Sequence, residues 1–438
     1  MQKLLTLALF AITFFSTNAQ INAKLQAKID QQAKEIEPKI IEWRRYFHEH
    51  PELSNQEYKT GKFIADYLKS IGLEVQYPVA KTGVVGLLKG TKPGPVIALR
   101  ADIDGLPITE RNDLPFLSKE KSVLNGQETG VMHACGHDSH IAMLMATAKI
   151  LAENKAELKG TVKFIFQPAE EGAYGDVAGA ELMVKEGVLE NPKVDVIFGL
   201  HIQSLTPLGK ITYRPEGMMA AVDAFDIKVT GVGAHGATPW DGVDPIVIAS
   251  QIVGGLQTIV SRQTDLTKAG VVITVGSFHA GIRRNIIPEE AKLEGTIRTF
   301  DPEMQQKIHD KIRLTATKIA ESAGAKADVK ITKGYPVTYN DPTLTKNMVS
   351  SLEKTVGAQN VSITSAVTMA EDFSFFQQKV PGLFFFLGAY PKDLNLQKQP
   401  VHHTADFMLD ERAFVLGTKG LLNLTLDYMF QNTVTKAK

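Results

Sequence analysis

Apolar positions recur at helical spacing from Asn22 to about His48, and again from Glu57 to Ser70, where Gly72 ends the second run. Downstream, the segments PVIALRADID, TVKFIFQPAEE, VDVIFGLHI and GLFFFLGA each read as a buried strand followed at once by polar residues. Strands that alternate with helices predict an α/β fold, with a mostly parallel sheet covered on both faces. Ligands gather at the carboxyl ends of such strands, and here the polar groups lie at those ends.

From about Met218 the pattern changes. AVDAFDIKVTG alternates as a strand, and Asp244-Pro245 opens a helix whose Ile248, Ile252, Leu256 and Ile259 share one face. VVITVGSF and AKLEGTIRTF follow as strands, then a helix from about Pro302 to Ser322, then ADVKITKG. This order is that of a split, ferredoxin-like α+β unit. Strand-plus-chemistry segments resume after it, so it reads as an insertion. The expected division is a catalytic domain over 22–217 and 334–438, with a lid and dimerisation domain over 218–333 between its halves.

Composition removes several possibilities. With 48 Lys+Arg against 48 Asp+Glu, no global field steers the chain towards nucleic acid or an anionic membrane. The N-terminus MQKLLTLALFAITFFSTNAQ carries one lysine, an apolar stretch from Leu4 to Phe15, and Thr17-Asn18-Ala19 in the manner of a signal-peptidase site. A membrane anchor is the alternative, but the stretch falls short of the ~20 apolar residues that a spanning helix needs. A signal peptide over 1–19 is therefore expected, with a secreted or periplasmic product that is free of the membrane. Export usually brings disulfides, yet the chain has one cysteine.

That cysteine sits in HACGHDSH, residues 133–140, among three histidines and an aspartate. Cys135 and His137 are two apart, which in an extended or turning segment puts both side chains on one side, and Asp138 or Ser139 is placed to cap the helix that follows. Gln167-Pro168-Ala169-Glu170-Glu171-Gly172 sets two adjacent carboxylates on a turn behind a strand; His201 ends another strand, and His402-His403 lie near the C-terminus. Thiolate, imidazole and carboxylate at several strand ends form a set that transition metals bind. Each has a bland alternative: a structural histidine, a solvated glutamate pair, a small buried cysteine. All of these would have to hold together. A nucleophilic Cys135 with His137 as its base is a further alternative.

The motifs HACGHDSH, QPAEEG, GLHI, GVGAHGATPWDGVDP, RRNIIPEEA, MAEDFSFF and HTADF, in order over nearly all of the chain after residue 22, resemble the aminoacylase/carboxypeptidase group of co-catalytic metallopeptidases. Within it they are most similar to the branch of hippurate hydrolases and auxin-conjugate amidohydrolases. The resemblance implies two divalent metal ions per subunit, zinc or manganese, bridged by Cys135, with His137 and Glu171 on one side and His201 and His403 on the other. It implies Glu170 as general base, His235 as an oxyanion donor that often reaches in from a partner subunit, and Asn285 as a lid residue on the substrate. Arg283 or Arg284 would meet a substrate carboxylate. His403 is preferred over His402 because Phe407 lies four residues on, as in the family's His-x-x-x-Phe; the chain departs from that pattern in Ala405, where proline is common, and in the extra histidine. The implied activity is hydrolysis of the amide bond of N-acyl amino acids or small peptides by a homodimer joined through the lid. Two alternatives stand beside it: a carboxypeptidase on longer peptides, and an exported protein that uses the metal cluster to hold a ligand without cleaving it.

Overall fold

The computed structural model describes residues 23–172, 179–391, 393 and 399–431, so the expected signal peptide, 1–19, lies outside the described residues. Among the described residues, no helix is long and apolar enough to cross a membrane. The fold is α/β. An eight-stranded sheet runs in the order Glu74–Val79, Gly83–Lys89, Lys159–Gln167, Lys92–Asp102, Val196–Pro207, Gly382–Tyr390, Ile211–Tyr213, Val361–Ile363. The four central strands, from Lys159–Gln167 to Gly382–Tyr390, are mutually parallel. Antiparallel pairs flank them.

The central strands read as continuous apolar runs because both faces are covered. On one face Ile97, Leu99, Phe164, Phe198 and Phe385 pack under helices that include His137–Glu153 and Ala413–Gln431. Their strand neighbours Ala98, Ile165, Ile197 and Phe384 point the other way, onto Met183, Phe373 and Phe376. Two expectations need correction. The first helical run is two helices, Ala23–Glu35 and Glu37–Glu49, because Pro38 stands in the first turn of the second. Neither Asp138 nor Ser139 caps the helix that starts at His137. Gly136 precedes it with φ 91°, and Asp138, inside the first turn, spends its carboxylate on Arg44 Nε at 3.1 Å and His48 Nδ1 at 2.7 Å.

A second unit has its own core. Its sheet runs Val271–Ala280, Glu290–Thr299, Ala221–Thr230, Lys326–Lys333, antiparallel throughout. Helices Pro245–Gln263 and Pro302–Ser322 cover one face and bury Ile248, Ile252, Leu256, Ile259, Ile308 and Ile312 against Ile227, Leu293 and Ile297. Both helices begin with Pro in the first turn behind an aspartate whose side chain accepts a backbone N–H: Asp244 from Ile246, Asp301 from Met304. The two chain crossings run side by side. Glu216–Met219 pairs antiparallel with Thr338–Asn340, Val222 N–H donates to Tyr335 O at 3.0 Å, and Gly334 N–H donates to Val222 O at 3.0 Å.

Candidate metal centre

At the carboxyl ends of the parallel strands, five side chains converge. Cys135 Sγ lies 3.3 Å from His201 Nε2 and 3.2 Å from His403 Nε2. His403 Nε2 lies 2.9 Å from Glu171 Oε1, in a geometry that makes no hydrogen bond, so both atoms point at a shared space rather than at each other. Ligand atoms of Cys135, His137 and His201 lie within 4.8 Å of one another, as do those of Cys135, Glu171 and His403. These triads share the sulfur. They pair His137 with His201 and Glu171 with His403, which differs from the division that the resemblance implies, although His137, Glu170 and Glu171 form a third such group. His402 turns away: its Nε2–H donates to Ile202 O at 3.0 Å, and its Nδ1 meets Ser204 Oγ at 3.2 Å.

Groups behind the cluster fix the tautomers. His201 Nδ1 lies 2.7 Å from Ile202 O, and a carbonyl can only accept, so the proton is on Nδ1 and the Nε2 lone pair faces the sulfur. His137 Nδ1 donates to Asp104 O at 2.9 Å and Oδ1 at 3.1 Å. Its Nε2 is buried with no hydrogen-bond partner; Asp102 Oδ2, at 3.7 Å, is beyond reach. Burial lowers the pKa of His137, but Asp102 and Asp104 outweigh it and lift the ring to about 10. In the protein alone Nε2 would thus carry a buried, charged N–H without an acceptor, a costly arrangement that a cation in place of the proton relieves. Burial, then Glu171, Glu170 and Asp102, push the Cys135 thiol well above its usual range, and a metal ion reverses that field too. Donor set and unpartnered atoms both fit divalent metal.

Glu170, the neighbour of Glu171, belongs to two groups of acids and imidazole, one with His137 and Glu171 and one with Glu371 and Asp372. It is 8 % exposed. Burial, Glu371, Glu171 and Asp372 raise its pKa well above the carboxylate range, opposed by Arg100. Arg100 is fully buried and bonds Asp102 and Gln167, each at 2.8 Å, and Glu371 and Asp372, each at 2.9 Å. The loop that carries the two glutamates is tied down at three points. Ala169, at φ 52°, donates its N–H to Glu57 Oε1 at 2.8 Å; Glu171 N–H donates to Asp104 Oδ2 at 2.9 Å; and Tyr335 Oη donates to Glu170 O at 2.7 Å.

The lid residues gather elsewhere. His235 pairs with Ile286 in a two-stranded ladder, Gly236 N–H donates to Asn285 O, and Ile286 N–H to Arg283 O. His235 Nδ1 accepts from Ala237 N–H at 3.0 Å, which leaves Nε2 as the donor. No hydrogen bond or ion pair joins this group to the cluster among the described residues. Arg100, Asp102, Asp104, Glu57 and Tyr335 support the site without belonging to any of the motifs that point to it. Only Arg100 gave a signal, a charge inside an apolar strand.

Residues 98–427 match the family model of Peptidase family M20/M25/M40. The chain is 41% identical to thermostable carboxypeptidase 2 of Saccharolobus solfataricus over 93% of this chain and 99% of that one. It is 40% identical to N-acetylcysteine deacetylase of Bacillus subtilis over 90% and 97% of the two chains. Among solved structures, the Bacillus subtilis YXEP protein, described as a dinuclear metal binding peptidase from the M20 family, superposes with a TM-score of 0.74 at 37% identity, over 90% and 99%.

Chelator-stripped protein should take up about two equivalents of zinc or manganese per chain and gain thermal stability in doing so. Cys135→Ala should lose most of that uptake. Elemental analysis that finds no bound ion in folded wild type would refute the centre. Glu57 offers a second test. Burial, then Asp104, raises its pKa from 4.5 to about 7. Its proton is held more tightly in the folded state, so its contribution to stability is full below pH 4.5 and is lost as pH rises through 7. In stripped protein, Glu57→Gln should flatten the fall in stability across that window by on the order of 3 kcal/mol. Thermal melts of equal slope in variant and wild type would count against it.

Proposed function

The chain belongs to Peptidase family M20/M25/M40 and is a metal-dependent hydrolase, and from that premise we propose that it cleaves the amide bond of N-acyl amino acids or small peptides, with Glu170 as general base. The observation that carries the reading is the position of Glu170: its buried carboxylate lies within 4.8 Å of ligand atoms of His137 and Glu171 on one side and of Glu371 and Asp372 on the other, but groups with neither Cys135 nor His403. A protein that only bound its ligand would need no such acid.

Cys135, His137, Glu171, His201 and His403 would hold the metal. Two divalent ions there would lower the pKa of a water and polarise the amide carbonyl. Glu170 takes the water's proton at its carboxylate and delivers it to the leaving nitrogen. Arg100, in contact with both acids beside Glu170, favours the ionised form of that carboxylate. His235 Nε2–H donates to the oxyanion, a contribution worth roughly 3 kcal/mol. Asn285 contacts the substrate and Arg283 meets its carboxylate. The bound N-acyl amino acid keeps a free carboxylate, which a guanidinium matches in two-point geometry.

The lid group lies apart from the cluster within one chain, which supports a homodimer in which His235 serves a partner's site. Val271–Ala280 forms an edge of the lid sheet; Phe278 within it is exposed, as are Ile282 and Ile286, which line one hollow with His279 and Ala280. An unprotected edge beside apolar side chains is a surface for a second copy. A carboxypeptidase on longer peptides is the second reading, favoured by the likeness to thermostable carboxypeptidase 2.

Metal-loaded wild type should release free amine from N-acetyl- and N-benzoyl-amino acids, at a rate that falls as the peptide portion lengthens; a rate that climbs with chain length selects the second reading. Glu170→Ala should retain its metal and lose about 10²–10⁴-fold in kcat. An active Glu170→Ala enzyme would remove the base. Sedimentation should give a dimer for wild type and a monomer for Ile282→Asp/Ile286→Asp. A wild-type monomer with full activity would end the two-chain site.

A further inference from the structure

Tyr335 belongs to one of the two crossings between the sheet unit and the lid, and it is also a ligand of the Glu170 loop. Its ring is 5 % exposed and packs on Val222 of the other crossing and on Phe375, with centroids 6.0 Å apart in the latter pair. Its carbonyl accepts from Val222 N–H, and the preceding Gly334 N–H donates to Val222 O, with a further contact to Asp223 Oδ1 at 3.2 Å. From this double-paired ribbon the phenol reaches across to Glu170 O at 2.7 Å. The receiving loop needs such a tie. Ala169, just before Glu170, is held at φ 52°, a region that a residue with a side chain adopts only under constraint.

We propose that Tyr335 is a positioning residue that couples the orientation of the lid to the placement of the Glu170 carboxylate. A rotation of the lid about its two crossings displaces the Val222–Tyr335 ribbon, because the crossings are bonded to each other and move together. The phenol oxygen moves with that ribbon. The Glu170 carbonyl either follows or loses its partner, and its carboxylate is re-aimed in both cases. The base is thus aligned only when the chain's own lid is in the matching position. Glu171 has a separate tie, Asp104, so this coupling spares the metal cluster.

The inference rests on Glu170 as the base, and the test separates the two. Tyr335→Phe keeps the ring and its packing and removes only the hydroxyl. It should lower kcat about tenfold, the loss of one buried hydrogen bond, with KM within about twofold of wild type, metal content unchanged and the thermal midpoint lowered by no more than about 4 °C. Gly334→Ala places a Cβ 2.4 Å from Val222 O and forces the ribbon apart without touching the site. It should reproduce the loss in kcat at full metal occupancy. If Glu170→Ala is inactive while Tyr335→Phe turns over like wild type, the coupling is refuted and the base stands. If Glu170→Ala is active, both fall. A loss in Tyr335→Phe that tracks lost metal, or a melt that begins below the assay temperature, would make the hydroxyl merely structural and would also refute the coupling.

Discussion

One buried guanidinium sets the electrostatics of the site. Arg100 lies in the interior of the sheet with Asp102, Glu371, Asp372 and Gln167 around it, and Glu170 just beyond. An isolated guanidinium would be costly to bury there, and an unpaired carboxylate would be too; each is held by the others. The balance is nevertheless negative. Burial pushes Glu170 and Asp372 upward in spite of Arg100, and Cys135 rises with its neighbours Glu171 and Glu170. A pocket that collects this many acidic ligands in a low dielectric suits cations, and in the proposed reaction the same cations would favour the thiolate as a ligand and the ionised Glu170 as a base. The demand for metal and the capacity for catalysis have one origin.

The sheet supplies the geometry. Parallel strands end on one side, so Asp102, Gln167 and His201 arrive at one edge of the sheet although Asp102 and His201 are 99 residues apart in sequence. Backbone atoms at those ends do the aiming. Asp104 O holds His137; Ile202 O takes protons from His201 and His402; Ile202 N–H donates to His140 Nε2, whose Nδ1 then donates to Asp102 at 2.6 Å. The N–H and C=O of Ile202 are thereby held by three imidazoles, which links the C-terminal histidine loop to the strand that carries His201.

How much of this could be read in the sequence follows from the range of the interactions. HACGHDSH, QPAEEG and HTADF announce themselves through residue type, and the alternation in AVDAFDIKVTG together with Asp244-Pro245 defines a strand and a capped helix locally. The five metal-ligand candidates meet in one cluster although only His201 lies in a strand of the main sheet: Glu171 follows one closely, Cys135 and His137 stand at the start of the helix His137–Glu153, and His403 is in a loop. What failed depended on partners remote in sequence. Asp138 reads as a cap until Arg44 and His48 claim its carboxylate, and Tyr335 looks like any half-polar aromatic until a loop 165 residues away supplies its acceptor. Arg100 was an anomaly in an apolar run, but its four partners come from three separate segments.

Strain marks the same places. Among the residues with side chains held at positive φ are Ala169 and His403, each adjacent to or part of the cluster. Such conformations cost on the order of 1–3 kcal/mol apiece and persist only where the surroundings over-determine them. The surroundings here are specific. Ala169 N–H is taken by Glu57, itself fixed by Thr82 at 2.7 Å, and His403 N–H donates to Ala134 O at 2.9 Å. Ala134 is the residue before Cys135, so the bond that offsets the strain at one ligand also registers it against another. A relaxed backbone at either position would swing Glu170 or His403 out of the pocket. The strain is therefore part of the aiming, and the folded core beneath the sheet is what sustains it.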